Sequence, residues 1–99
     1  MRENQYQQDL KKRIKERIPD CRIFKNDSMD VQGFPDLSIH RCGKVAYLEV
    51  KRSPREKKQP NQEYYIETLS KEGAFASFIF PENEKETLDA MERALGAKG

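Results

Sequence analysis

The sequence predicts an α/β domain: a mixed β-sheet flanked by helices in the order α-β-β-β-α-β-α. Three observations carry this. Apolar residues recur at four-residue steps near the N-terminus, two short alternating segments flank a Cys-Gly pair, and a helical pattern, an apolar run and a second helical pattern follow a basic connector. At 99 residues the chain makes a single domain, 1–99, whose small core would gain from a partner subunit.

Residues 3 to 18 form the first helix, because Tyr6, Leu10, Ile14 and Ile18 fall on one stripe with Lys and Arg on the other faces, and Pro19 ends it. CRIFK at 21 to 25 suits a first strand, and NDSMDVQG is a polar loop. Strands near 36 to 40 and 45 to 51 then form a hairpin around Cys42-Gly43. KRSPREKK, 51 to 58, is a basic connector that buries nothing. Pro60 stands at a first helical position, Gln62, Tyr65, Ile66 and Leu69 share one helical face, and Gly73 stops that helix. Phe75 to Phe80 reads as a buried strand ending at Pro81, and Leu88, Met91 and Leu95 stripe a final helix.

Composition excludes several classes. The most apolar run, GAFASFIF, is far shorter than the roughly 20 residues a bilayer requires, and MRENQYQQDLKK lacks the apolar core of a secretory signal. An intracellular, non-secreted protein is expected. Cys21 and Cys42 lie far apart without a CxxC pair, and His40 is the one histidine, so structural zinc is not expected and the thiols read as buried or half-buried and free. The net charge of +2 conceals an asymmetry: residues 1 to 58 carry 15 Lys/Arg and 9 Asp/Glu, and residues 59 to 99 carry 4 and 8. The first part suits an electropositive face that attracts phosphates.

The hairpin holds the chemistry. Side chains alternate across a strand, so Glu49 and Lys51 share one side of theirs while Ala46, Leu48 and Val50 take the other. A two-residue turn pairs Arg41 with Lys44 and, counted outward, sets Asp36 opposite Glu49, whereas a slip of one residue would put the apolar sets on opposite faces. Opposed carboxylates, with Cβ atoms about 4.5 to 5.5 Å apart, repel. A hard divalent cation offsets this, since Mg²⁺ takes carboxylate oxygens and keeps several waters. Lys51 would orient or help deprotonate an attacking water, or neutralise a phosphate. The alternative is a solvated Asp-Lys-Glu cluster on an exposed sheet face. Glu3 and Gln62 extend or head apolar stripes, so each either frays into solvent or points into the same pocket.

GFPD at 33 to 36, EVK at 49 to 51 and Gln62-x-x-Tyr65 together resemble the PD-(D/E)XK nucleases, most closely the VRR-NUC branch, over about Glu3 to Phe80. The chain is similar to the stand-alone phage and viral members, and if phage-encoded it would act in a bacterial host's cytoplasm. The resemblance implies a restriction-endonuclease-like core with a Mg²⁺ or Mn²⁺ ion held by Asp36, Glu49 and the main-chain carbonyl of Val50. It further implies that Lys51 assists the attacking water and that Glu3 and Gln62 complete the catalytic set.

The expected activity is metal-dependent endonucleolytic hydrolysis of DNA phosphodiester bonds, with a four-way (Holliday) junction cut by a homodimer. Arg13 on the first helix and Arg52, Arg55, Lys57 and Lys58 in the connector are the candidate backbone contacts, with Tyr65 beside them. Candidate dimer surfaces are Phe75 to Phe80 and the last helix around Leu88 and Met91. Two rivals stand: a monomeric flap or single-strand nuclease, for which Tyr64 is the only aromatic near the site able to stack a base, and a non-catalytic nucleic-acid-binding module. His40 lies on the Asp36 side of its strand, and a lone strand-end histidine reads as solvated or structural.

Overall fold

The computed structural model describes residues 3–27 and 30–97. Helix α1 (Glu3–Arg17) leads into strands β1 (Arg22–Lys25), β2 (Leu37–Arg41) and β3 (Lys44–Val50), followed by helix α2 (Gln62–Lys71), strand β4 (Phe75–Ile79), a 3-10 turn (Pro81–Asn83) and helix α3 (Glu84–Ala94). The fold is mixed α/β, with one four-stranded sheet in the order β1-β2-β3-β4. β1, β2 and β3 are antiparallel neighbours, while β4 joins β3 in parallel, with α2 as the crossover.

Cys42 and Gly43, with φ of 50° and 79°, make the tight turn that pairs Arg41 with Lys44. This register runs to Leu37 opposite Leu48. Leu37, Ile39, Ala46, Leu48 and Val50 therefore fall on one face, where all are at 0% exposure, together with Ile79. Tyr6, Leu10, Ile14 and Ile18 of the α1 stripe and Leu88, Met91 and Leu95 of the α3 stripe close over that face. The last helix is thus spent on the chain's own core, with Leu88 at 2% and Met91 at 0% exposure, and does not offer the free apolar surface expected of it.

Polar contacts lock α1 to α3. Glu84 accepts hydrogen bonds from Arg13 Nε at 2.6 Å and Nη2 at 2.8 Å and from the Tyr6 hydroxyl at 2.9 Å. Arg17 pairs with Asp89 and, at 2.7 Å, with Glu92. Arg41 ties the hairpin to the same end, donating to Asp20 at 3.0 Å and to the Leu95 carbonyl at 3.0 Å, which it caps.

Several elements depart from the expectations. Helix α2 starts at Gln62, not at Pro60, because Asn61 before it holds a left-handed conformation, φ 71°. None of its residues is buried, and Tyr65, Ile66 and Leu69 are only half-covered. β4 is likewise half-covered except at Ile79, where a fully buried strand was expected. The connector is not wholly exposed, since Lys51 is 4% exposed. The 3-10 turn is formed by Asn83, whose side chain accepts from the Phe80 N–H at 2.8 Å and donates to the Phe78 carbonyl at 3.2 Å. Cys21 is buried and Cys42 exposed, both free. Among the described residues no helix is long and apolar enough to cross a membrane.

Glu84 supplies a pH test. Burial would raise its pKa, but the hydrogen bonds from Arg13 and Tyr6 outweigh burial and hold it below the ordinary 4.5. A depressed folded-state pKa contributes stability that is fully present above the unfolded value and lost as pH falls through the folded one. Glu84→Gln is expected to cost about 1 kcal/mol at pH 7. Urea unfolding at pH 7 and pH 3 should show the gap between wild type and variant closing in acid. A gap independent of pH would mean that packing, not the charge, is what Glu84 contributes.

Candidate active site

One cleft of about 450 Å³ is lined by Asp36, Glu49, Lys51, Glu56 and Gln62, together with Gln32, Gly33 and Gln59. Four of the five expected catalytic residues thus meet there. The fifth, Glu3, begins α1, and its side chain lies outside the described residues.

The site is built on the last residues of β3. Because Leu48 and Val50 face the core, Glu49 and Lys51 must point to the opposite side, toward the PD loop and the start of α2. They are 3% and 4% exposed, which excludes the solvated surface cluster. Burying ionised groups this far costs several kcal/mol each unless partners replace water. Glu49 Oε2 accepts a hydrogen bond from Gln62 Nε2 at 3.0 Å, and Gln62 Oε1 accepts from the Gln59 N–H at 2.8 Å, which fixes the amide's orientation. Lys51 Nζ donates to the Lys57 carbonyl at 3.3 Å and lies 3.8 Å from Glu56 Oε2.

Asp36 sits one residue beyond the paired part of β2. Its Oδ2 accepts the Val50 N–H at 2.8 Å, so it closes the end of the hairpin through its side chain. Asn26 holds the flanking backbone there. The Asn26 N–H donates to the Asp36 carbonyl at 2.8 Å, and Asn26 Nδ2 donates to the Pro35 carbonyl and Ser38 Oγ, both at 2.9 Å. Both carboxylates are thus held by hydrogen bonds, Asp36 from the Val50 N–H and Glu49 from Gln62.

Gly33 joins this loop to α2. It has φ +84°, and a Cβ there would lie 2.6 Å from Asn61 Cβ and 2.6 Å from the Pro60 carbonyl oxygen. Only glycine permits this approach. The contact brings the start of the Gln62 helix against the segment that carries Asp36.

The candidate nucleic-acid contacts are dispersed. Arg55, Lys57 and Lys58 are exposed. Arg52, 57% exposed in its side chain, is held by Glu56 at 3.3 Å. Arg13 is instead engaged by Glu84, with its guanidinium 5.8 Å from the Tyr6 ring centroid, and does not line the cleft. Tyr65 is half-buried in a chain of edge-to-face rings: Tyr47 to Phe34 at 5.6 Å, Phe34 to Tyr65 at 5.4 Å and Tyr65 to Tyr64 at 5.1 Å. His40, exposed, stacks edge-on with Phe24 at 5.1 Å and does not line the cleft.

Two residues escaped the sequence reading. Asn26 looked like loop punctuation, and its bonds depend on a long-range approach no periodicity reveals. Glu56 was hidden in a basic run, yet it accepts from the Arg52 N–H at 2.7 Å and folds the connector back over Lys51. The i to i+4 spacing of Arg52 and Glu56 was its one visible signal.

Among the described residues, no group of three His, Cys, Asp or Glu side chains is placed to hold a metal ion. The donors that the resemblance implies are the carboxylates of Asp36 and Glu49 and the Val50 carbonyl. That set of hard oxygens suits Mg²⁺ or Mn²⁺, which bind through one or two carboxylates and complete their shell with water and substrate phosphate. No family model, curated protein or solved structure matches the chain.

The glycine contact predicts a contrast between two left-handed positions. Gly33→Ala is expected to destabilise by at least about 1 to 3 kcal/mol, because strain adds to a clash with backbone. Gly43→Ala meets nothing within 4 Å, so it carries the conformational strain alone. Denaturant midpoints of the two variants decide: equal losses would show that the approach to Asn61 relaxes freely.

Proposed function

We propose that the protein is a metal-dependent DNA endonuclease with a restriction-endonuclease-like core of the VRR-NUC type, hydrolysing phosphodiester bonds in the Asp36–Glu49–Lys51 cleft. The observation that carries this reading is the pair Glu49 and Lys51, buried to 3% and 4% exposure yet lining a cleft with Asp36. A binding module that used the basic residues alone would have no use for two ionisable side chains held at such desolvation cost.

Asp36 and Glu49, with the Val50 carbonyl, would hold Mg²⁺ or Mn²⁺. When bound, the ion supplies a lowered pKa for water and neutralises charge on the phosphate. The chain's own groups have distinct tasks. Gln62 fixes the rotamer of Glu49, and the Val50 N–H fixes that of Asp36. Lys51 orients the attacking water and stabilises negative charge building on the non-bridging oxygens. Water oxygen bonds to phosphorus and gives up a proton to bulk water as the bond to the 3′ oxygen breaks, and that oxygen takes a proton from solvent. The products are 5′-phosphate and 3′-hydroxyl ends.

Arg52, Arg55, Lys57 and Lys58 stand exposed on the connector that carries Glu56 and Gln59 into the cleft, and would hold the DNA backbone without reading sequence. Arg13 would contribute only if it left Glu84. The working unit we propose is a homodimer acting on branched DNA, a four-way junction foremost. Support comes from Ile66 and Leu69 of α2, half-covered and on a different side of that helix from Tyr64, and from the half-covered edge strand β4. This surface replaces the α3 stripe as the candidate contact between copies.

Asp36→Asn and Glu49→Gln keep the shape of the cleft while removing a charge. Each is expected to abolish cleavage of junction DNA in Mg²⁺ or Mn²⁺ and to leave DNA binding unchanged or tighter. Wild-type cleavage by either variant would overturn the assignment.

Lys51→Ala separates chemistry from binding. It should lower the single-turnover rate at saturating enzyme by about 10²- to 10³-fold with little change in affinity. A loss of affinity with an unchanged saturated rate would make Lys51 a phosphate anchor.

A further inference from the structure

Beside the catalytic cleft lies a second hollow, of about 560 Å³, lined by Lys57, Lys58, Gln59, Glu63 and Tyr64 among others. Gln59 lines both spaces, so the two adjoin. Tyr64 is 59% exposed, among the most exposed of the described large hydrophobic residues. An exposed aromatic is ordinary on its own. This one differs in its support and its neighbours.

Its support is the ring chain, in which Tyr64 packs at 78° against Tyr65, Tyr65 against Phe34, and Phe34 against Tyr47 of β3. An aromatic side chain braced in this way offers a flat apolar surface at low entropic cost. The neighbours are cationic. Lys57 is anchored to the catalytic cleft, since its carbonyl accepts from Lys51 Nζ, and Lys58 Nζ lies 5.0 Å from the Phe78 ring centroid. Glu63 also borders the hollow, 3.7 Å from Lys58. With side-chain exposures of 46% and 62%, that pair is solvent-screened and leaves Lys58 able to turn to a phosphate.

We infer that this hollow is a nucleotide subsite in which Tyr64 stacks one unpaired base while Lys57 and Lys58 hold the flanking phosphates. The inference rests on the nuclease reading and extends it, giving the enzyme a means of choosing DNA with a base left unpaired next to the cut, as at a branch point or a single-stranded arm. Stacking accepts any base, because each presents a π-face, and a stacked duplex withholds those faces. Selection is therefore by structure and not by sequence.

The test measures binding apart from cleavage. A duplex with a short single-stranded tail carrying 2-aminopurine is compared with the blunt duplex, by anisotropy and 2-aminopurine fluorescence, in EDTA and again with Ca²⁺. Wild type and Tyr64→Phe should bind the tailed DNA more tightly than the blunt and quench the probe. Tyr64→Ala should bind the tailed DNA about 5- to 100-fold more weakly and lose the quenching, while its affinity for the blunt duplex stays within about twofold, since phosphate contacts set that term. Equal weakening on both DNAs, or none on either, overturns the subsite. Wild-type binding that does not distinguish tailed from blunt DNA sinks the subsite alone. Failure to bind either DNA in both buffers sinks the nucleic-acid reading with it.

Discussion

The register of the β2–β3 hairpin is the constraint from which the rest of the molecule follows. Once Cys42 and Gly43 close a two-residue turn, Arg41 must face Lys44, and each later residue of β3 has its side assigned. Leu48 and Val50 go to the core, and Glu49 and Lys51 go to the cleft, because pleating allows nothing else. A shift of one residue in β3 would bury Glu49 and Lys51 beneath α1 and α3 and turn Ala46, Leu48 and Val50 away from the face that Leu37 and Ile39 still occupy. Core and candidate site are the two faces of one strand, so the hydrophobic energy that selects the register also places Glu49 and Lys51 in the cleft.

A strand end alone would leave Asp36 and Gln62 unpositioned, and a second constraint supplies them. The chain closes on itself around Gly33, where the backbone of Pro60 and Asn61 occupies the space a side chain would need. Asp36 is held by the Val50 N–H and its flanking backbone by Asn26, so neither end of the loop can drift. Gln62 then spans from Glu49 to the Gln59 N–H, and the connector between them carries Glu56 and the Lys57 carbonyl back to Lys51. Segments from 26 to 62 thus converge on a volume the sheet merely borders.

This division explains what could be read from the sequence. The α1 stripe of Tyr6, Leu10, Ile14 and Ile18 and the hairpin alternation are periodic signals, and both are realised with near-complete burial. The register, and with it the company of Asp36, Glu49 and Lys51, followed from one turn and one alternation, whereas Gln62 was indicated by its place at the head of a helical stripe and by the resemblance. Asn26 and Glu56 act through contacts that only the closed fold creates, and nothing periodic marks them. Misreadings arose where a local rule met a tertiary demand. Pro60 is well suited to a first helical turn, but the approach of Gly33 puts Asn61 into a left-handed conformation and delays the helix to Gln62. Arg13 carries the charge expected of a phosphate contact, yet Glu84, 71 residues away, engages it first.

The least secured element also borders the candidate site, through Gln62. α2 buries none of its residues and is held by β4, by the Gly33 contact and by the ring chain from Tyr47 to Tyr64, while α1 and α3 share a continuous core and a set of ion pairs. Local opening draws on regions with little buried apolar surface, so α2 is the segment whose displacement costs least. Any such displacement takes Gln62 from Glu49 and alters the approach to the cleft, while leaving the hairpin intact. In the proposed reading a second copy or a bound nucleic acid would cover this side of the sheet and supply the burial that α2 lacks alone. The site's geometry would then depend on occupancy, a coupling that a fully buried α2 would not permit.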